Sequence, residues 1–203
     1  MPKTKTSRRK KTSGGESSPP TSRSRYKAAT YSILLGIGVF AGFSVWQAQT
    51  CEAAFLNLVE AHKGSLERVR TMPDLGRSHL VRGQSFRYPN TFPTSGPHSP
   101  VWTKPGVYSE LPPDVELVHA LEHGNIVIYY DQLPEDDFDM LESWAGLYQG
   151  QWSGIIVTRR PGLGSEVVLT AWTKLFRQKT FDASAAAVFI DKYRGRGPEH
   201  RVR

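Results

Sequence analysis

Hydrophobic and polar positions along the chain change period several times, and each change marks an element. Residues 1–27 carry almost no apolar side chains and are rich in Ser, Thr, Gly and Pro. Such a segment buries too little surface to offset its ordering entropy, so it reads as a disordered tail. The apolar stretch "AATYSILLGIGVFAGFSVWQAQ" (28–49) follows, with no charge between Lys27 and Glu52. A bilayer core needs roughly 20 apolar residues in a helix. Tyr26, Tyr31 and Trp46 stand near the ends of the stretch, where amphipathic aromatics favour the interface. A single transmembrane helix is expected over 28–49. In 50–77, Phe55, Leu58, Val59 and Leu66 recur at helical spacing, which predicts a juxtamembrane helix that fades near Gly64 into a linker.

From Ser78 the periods shorten. "HLVRGQSFRY" alternates as a strand or hairpin would. Residues 89–108 hold five prolines and two glycines, which neither a helix nor a central strand tolerates. Tyr88, Phe92, Trp102 and Tyr108 in and beside this loop predict that it packs down onto the domain. "PPDVELVHALEHG" is a helix: Asp114 and Glu116 suit the positive end of its dipole, Val115, Val118 and Leu121 share a face, and Gly124 suits a left-handed stop. "NIVIYY" is a buried strand, and "PEDDFDMLESWAGLYQG" an amphipathic helix. "SGIIVTRR" and "EVVLTAW" are strands joined by the turn signal "PGLG", and "FDASAAAVFIDKYRGRG" is a closing helix. The order β-α-β-β-α predicts one parallel, right-handed crossover and one antiparallel hairpin. The expected fold is therefore α+β: a small mixed β-sheet with helices packed on one side, over 78–199, preceded by a single transmembrane helix and followed by a tail at 200–203.

Charge changes the picture in one respect. The formal net charge of +7 suggests a nucleic-acid partner, but nine of the 26 Lys and Arg residues, and only one acid, Glu16, fall in 1–27. The remainder holds 17 basic against 18 acidic residues, so the expected folded part is nearly neutral and no nucleic-acid binding is expected of it. The same asymmetry orients the membrane segment: nine positive charges precede it, and Glu52, Glu60, Lys63, Glu67 and Arg68 after it are mixed in sign. The positive-inside rule places the N-terminus in the cytoplasm and the domain outside the plasma membrane. A cleaved signal peptide fits less well, because the charged leader is long and the apolar stretch exceeds a signal core of about 7–15 residues. Cys51 is the only cysteine, so no intramolecular disulfide can form. Pairing of Cys51 with a second copy, or close packing at Gly38 and Gly42, gives two routes to a homodimer.

Candidate chemistry lies in "VHALEHG". In a helix His119 and His123 stand one turn apart, about 6 Å along the axis, with Glu122 close to the same face. In a strand they would be about 13 Å apart and could not share an ion. His79 and His98 add two more imidazoles around the same elements. Four histidines without a useful cysteine, and with no methionine closer than Met72 and Met140, suit zinc or copper(II). His-x-x-Glu-His is also the inverted zinc-peptidase motif, in which Glu122 would act as general base. Against this, Gly124 ends the helix one residue after the motif, whereas those enzymes carry it mid-helix. The bland alternative makes His119 and His123 favourable last-turn residues of a structural helix.

"SGPHSPVW", "GVY", "VHALEHGNIVIYY", "AW" (Ala171, Trp172) and the run from Tyr193 to Glu199 resemble, in this order, the bacterial family catalogued as domain of unknown function 3105. The resemblance covers roughly residues 78–199; Thr94 stands where the family pattern has a second proline. It implies a membrane-anchored extracytoplasmic domain and a histidine constellation, with motif positions His79, Ser95, Gly96, His98, His119, Glu122, His123 and Gly124, and it implies no reaction. The sequence thus points to a transition-metal site with His98, His119, His123 and His79 as ligands and with Glu122 and Ser95 supporting them from behind. The alternatives are a metal-free tethering module at the membrane surface and a metal-dependent hydrolase.

Overall fold

The computed structural model describes residues 47–203 except 63–65, 67 and 82. Residues 47–61 are helical (α1). The elements that follow are β1 (Arg70–Thr71), β2 (Gly106–Tyr108), α2 (Asp114–His123), β3 (Ile126–Tyr130), α3 (Glu135–Leu147), β4 (Ile155–Arg159), β5 (Val167–Ala171), β6 (Lys174–Gln178) and α4 (Ala183–Tyr193). The strands form one mixed sheet in the order β1-β6-β5-β3-β4-β2. The chain is thus mixed α and β, as the pattern predicts. The apolar stretch 28–49 lies outside the described residues apart from its last three, and so do Gly38 and Gly42. Among the described residues no helix is long and apolar enough to cross a membrane.

β3 and β4 pair in parallel with α3 between them in the sequence, which is the expected parallel pairing. "PGLG" does not close a hairpin. β5 pairs antiparallel with the opposite edge of β3, so β3 stands between the two strands that the turn connects. The hairpin of this fold is β5–β6, closed by Trp172 and Thr173 with Ala171 opposite Lys174. Thr173 takes φ of 57°, a left-handed value that β-branched residues rarely adopt. Its carbonyl accepts from Met72 N–H at 2.9 Å, and its own N–H donates to Thr94 O at 3.0 Å, so the turn ties two loops to the sheet end.

Helices cover both faces of the sheet rather than one. Alternate strand residues divide cleanly. Ile126, Ile128, Ile155, Val157, Val167, Leu169 and Phe176 pack with Phe55 of α1, Leu141 and Trp144 of α3, and Phe189 and Ile190 of α4. Val127, Tyr129, Ile156, Val168 and Leu175 pack with Leu117, Ala120 and Leu121 of α2 and with Phe92. β3, β4 and β5 are buried on both sides over at least four residues each, so each must be covered twice. α1 belongs to this core: the Phe55 ring meets Trp144 and Tyr148 edge-on at 5.4 and 5.3 Å.

"HLVRGQSFRY" makes no strand. Among its described residues the sole pairing is an isolated parallel bridge between His79 and His98, with Leu80 N–H on His98 O at 2.7 Å and His98 N–H on Ser78 O at 3.0 Å. The proline-rich loop is packed down as expected. Phe92, Thr94, Ser95 and His98 are buried, and Tyr88 Oη donates to Pro97 O at 2.7 Å.

Candidate metal centre

α2 ends at Gly124, whose φ of 102° permits the left-handed stop. From Leu117 to His123 every residue of the helix is buried, including His119, Glu122 and His123. Polar side chains buried at a helix end require partners, and these come from three separate segments. The bridge brings His79 and His98 against the helix: His79 to His98, His79 to His119 and His98 to His119 have ring centroids 5.0, 5.0 and 4.9 Å apart. One donor atom from each of His79, His98, His119 and Glu122 lies within 4.8 Å of all the others. Tetrahedral zinc with bonds of about 2.0–2.2 Å sets its donors roughly 3.3–3.6 Å apart, a spacing that falls inside this 4.8 Å bound.

Two backbone carbonyls fix the imidazole tautomers. His98 Nδ1 lies 2.8 Å from Gly96 O and His119 Nδ1 lies 2.7 Å from Ser99 O. A carbonyl oxygen only accepts, so both Nδ1 atoms carry the proton and both Nε2 atoms present lone pairs. His98, fully buried, sets its Nε2 3.0 Å from Glu122 Oε2. In the neutral tautomer this is one acceptor facing another, and His98 Nε2 has no hydrogen-bond donor to meet it. A cation between them, proton or metal, removes the conflict. Burial pushes the His98 pKa down and so disfavours the proton. Burial likewise lowers His119 and raises Glu122, the latter also through the nearby Glu199 carboxylate.

His123 leaves this group. With His119 and Glu199 it forms a second set of donors within 4.8 Å of one another, its Nε2 3.1 Å from Glu199 Oε2. Its ring meets those of Trp102 and Trp152, with centroids 4.9 and 4.3 Å away, and burial, then the neighbouring His119, pushes its pKa down to about 4. The Ser95 hydroxyl bonds to backbone rather than to an imidazole: it accepts from Leu75 N–H at 3.0 Å and donates to Pro73 O at 3.1 Å, pinning the loop that carries His98.

Glu199 is the residue that element-by-element reading misses, because it lies beyond the last helix and next to the tail at 200–203. Its presence in the run from Tyr193 to Glu199 was the available signal. The segment is threaded against the end of α2: Gly195 N–H donates to Gly124 O at 2.8 Å and Arg77 Nη1 to Pro198 O at 3.1 Å. A Cβ on Gly197 would strike the Glu122 carbonyl oxygen, and one on Gly124 would come within 2.7 Å of Gly197 N.

These six donors span residues 79 to 199, and one family model covers them all, matching residues 79–203. The chain belongs to the family described as protein of unknown function (DUF3105). None of the curated proteins matches it, and none of the solved structures does. In this member of DUF3105 the grouped imidazoles and carboxylates could hold a metal ion.

Proposed function

We propose that the domain holds one transition-metal ion, zinc or copper(II), through Nε2 of His98 and His119, one ring nitrogen of His79, and Glu122. The observation that carries this reading is the 3.0 Å approach of His98 Nε2 to Glu122 Oε2 with the His98 proton committed elsewhere. Backbone acceptors behind two of the imidazoles supply the orientation that metal-bound histidines need. His79 is exposed, so the ion would keep one side towards solvent. The proposal extends to location: the segment 28–49 anchors the chain in the plasma membrane with the domain outside, supported by the charge asymmetry about that segment. The test is metal content and titration calorimetry of the purified full chain after dialysis. One ion per chain, lost with His98→Ala, is expected; no stoichiometric zinc or copper(II) at micromolar concentrations would sink the reading.

A hydrolase reading has one observation in its favour. His119, His123 and Glu199 have the two-imidazole, one-carboxylate composition of some catalytic zinc sites, and Glu122 would then take a proton from the metal-bound water. Metal-dependent turnover of a peptide or ester separates the two.

A further inference from the structure

His119 belongs to both donor groups, yet it has one nitrogen to give. Its Nδ1 is held by Ser99 O at 2.7 Å, leaving Nε2 alone for an ion. The inner set, His79, His98 and Glu122, and the outer set, His123 and Glu199, therefore cannot both be completed by His119 at once. Both sets reach solvent, the inner through exposed His79 and the outer through Glu199, but their carboxylates differ in burial. The Glu122 side chain is 6% exposed and that of Glu199 43%, and His123, 3% exposed, meets Glu199 at 3.1 Å. The His119 and His123 rings are 4.6 Å apart, and the Trp102 and Trp152 rings wall the outer set. Glu199 is also held independently of its side chain: its N–H reaches Glu122 O at 3.4 Å, and Arg77 holds the preceding carbonyl.

We propose that the domain is a metal-exchange site, in which the ion passes between the inner donors and an outer station formed by His119, His123 and Glu199. The inference rests on the metal reading of the inner set. In the transfer the bond to His119 persists. Bonds to His79, His98 and Glu122 break as bonds to His123 and Glu199 form; each donor contributes a lone pair and no electron moves. The recipient is a partner offering nitrogen or oxygen donors that approaches over the half-exposed Glu199. A shared ligand avoids release of the bare ion into water, whose cost would otherwise set the barrier to exchange.

The experiment loads the full chain with one equivalent of copper(II) and follows its transfer to excess EDTA by stopped-flow absorbance. Glu199→Gln, a half-exposed change of nearly constant shape, should slow transfer about tenfold or more. His79→Ala should still bind one copper(II) more weakly, with an altered electron paramagnetic resonance spectrum. Adding Glu199→Gln to that variant should lower its affinity at least a further tenfold. Transfer by Glu199→Gln at the wild-type rate, or equal affinity of His79→Ala with and without Glu199→Gln, overturns the exchange proposal while leaving the metal site standing. Wild-type chain that takes up no copper(II) or zinc overturns both.

Discussion

Glu122→Gln should move the two stabilities of this domain in opposite directions. Without metal, the wild-type carboxylate is buried, raised in pKa by burial and then by Glu199, and faces the His98 Nε2 lone pair at 3.0 Å. Glutamine keeps the shape, removes the charge and supplies an N–H that can donate to that lone pair. A buried hydrogen bond contributes about 0.5–1.5 kcal/mol, and an unmet buried acceptor costs about 1–3 kcal/mol. The metal-free variant should therefore be more stable than wild type by about 1–2 kcal/mol. In a domain of this size that raises Tm by roughly 2–8 °C. With metal the order reverses. An ion at a hundred times its Kd adds about 2.7 kcal/mol to wild type, whereas the variant, without its only anionic inner donor and binding about a hundredfold more weakly, gains about 0.4 kcal/mol and ends about 1.4–2.4 kcal/mol above metal-free wild type. Differential scanning fluorimetry with EDTA, then with zinc or copper(II), reads both shifts. A metal-free Glu122→Gln that melts below wild type would refute the reasoning, because the carboxylate would then be a satisfied structural acceptor rather than half of an unmet pair.

Three further expectations rest on other parts of the molecule. His123 titrates near 4, and burial also lowers His98 and His119, while unfolded imidazoles titrate near 6.5. The unfolded chain therefore binds more protons below about pH 6.5. Metal-free stability should fall as pH drops from 7 to 5, by about 2 kcal/mol from His123 alone, with Glu122 offsetting part; urea midpoints that stay level or rise would refute this. Gly197→Ala should dislodge the C-terminal segment from α2, cost about 1–3 kcal/mol and expose residues 194–203 to protease, and unchanged cleavage there would contradict the packing. Protease added outside intact cells should digest the domain after Cys51, and full protection would overturn the proposed topology.

How much of this was legible in the sequence depended on whether the signal was local. α2, β3, α3, β4, β5 and α4 follow from short-range patterns and caps, and they fall where the patterns put them. β6 was lost because its turn, Trp172–Thr173, carries no Gly or Asn although Thr173 needs a positive φ. "PGLG" signalled a reversal of the chain, and a reversal does not say which strand will lie alongside. β3 took the place beside β5, and its apolar run makes it the natural centre of the sheet. The two covered faces were written in "NIVIYY", "GIIV" and "VVL": continuous apolar runs, not the alternation of a sheet with one wet side.

The same distinction explains the site. Helical spacing places His119 and His123 one turn apart, and their rings do meet at 4.6 Å. Spacing cannot say what faces each ring, because those neighbours arrive from distant segments: His79 through a bridge of one residue pair, Glu199 through a strap 76 residues beyond His123. The reading of Glu122 as an acceptor behind an imidazole assumed that a side chain must orient the ring. Here the carbonyls of Gly96 and Ser99 do that work for His98 and His119. Backbone acceptors leave no trace in a residue pattern, and their presence changes what Glu122 can be. With both ring protons already placed, its carboxylate is free to face the lone pairs themselves, on the side where an ion would sit.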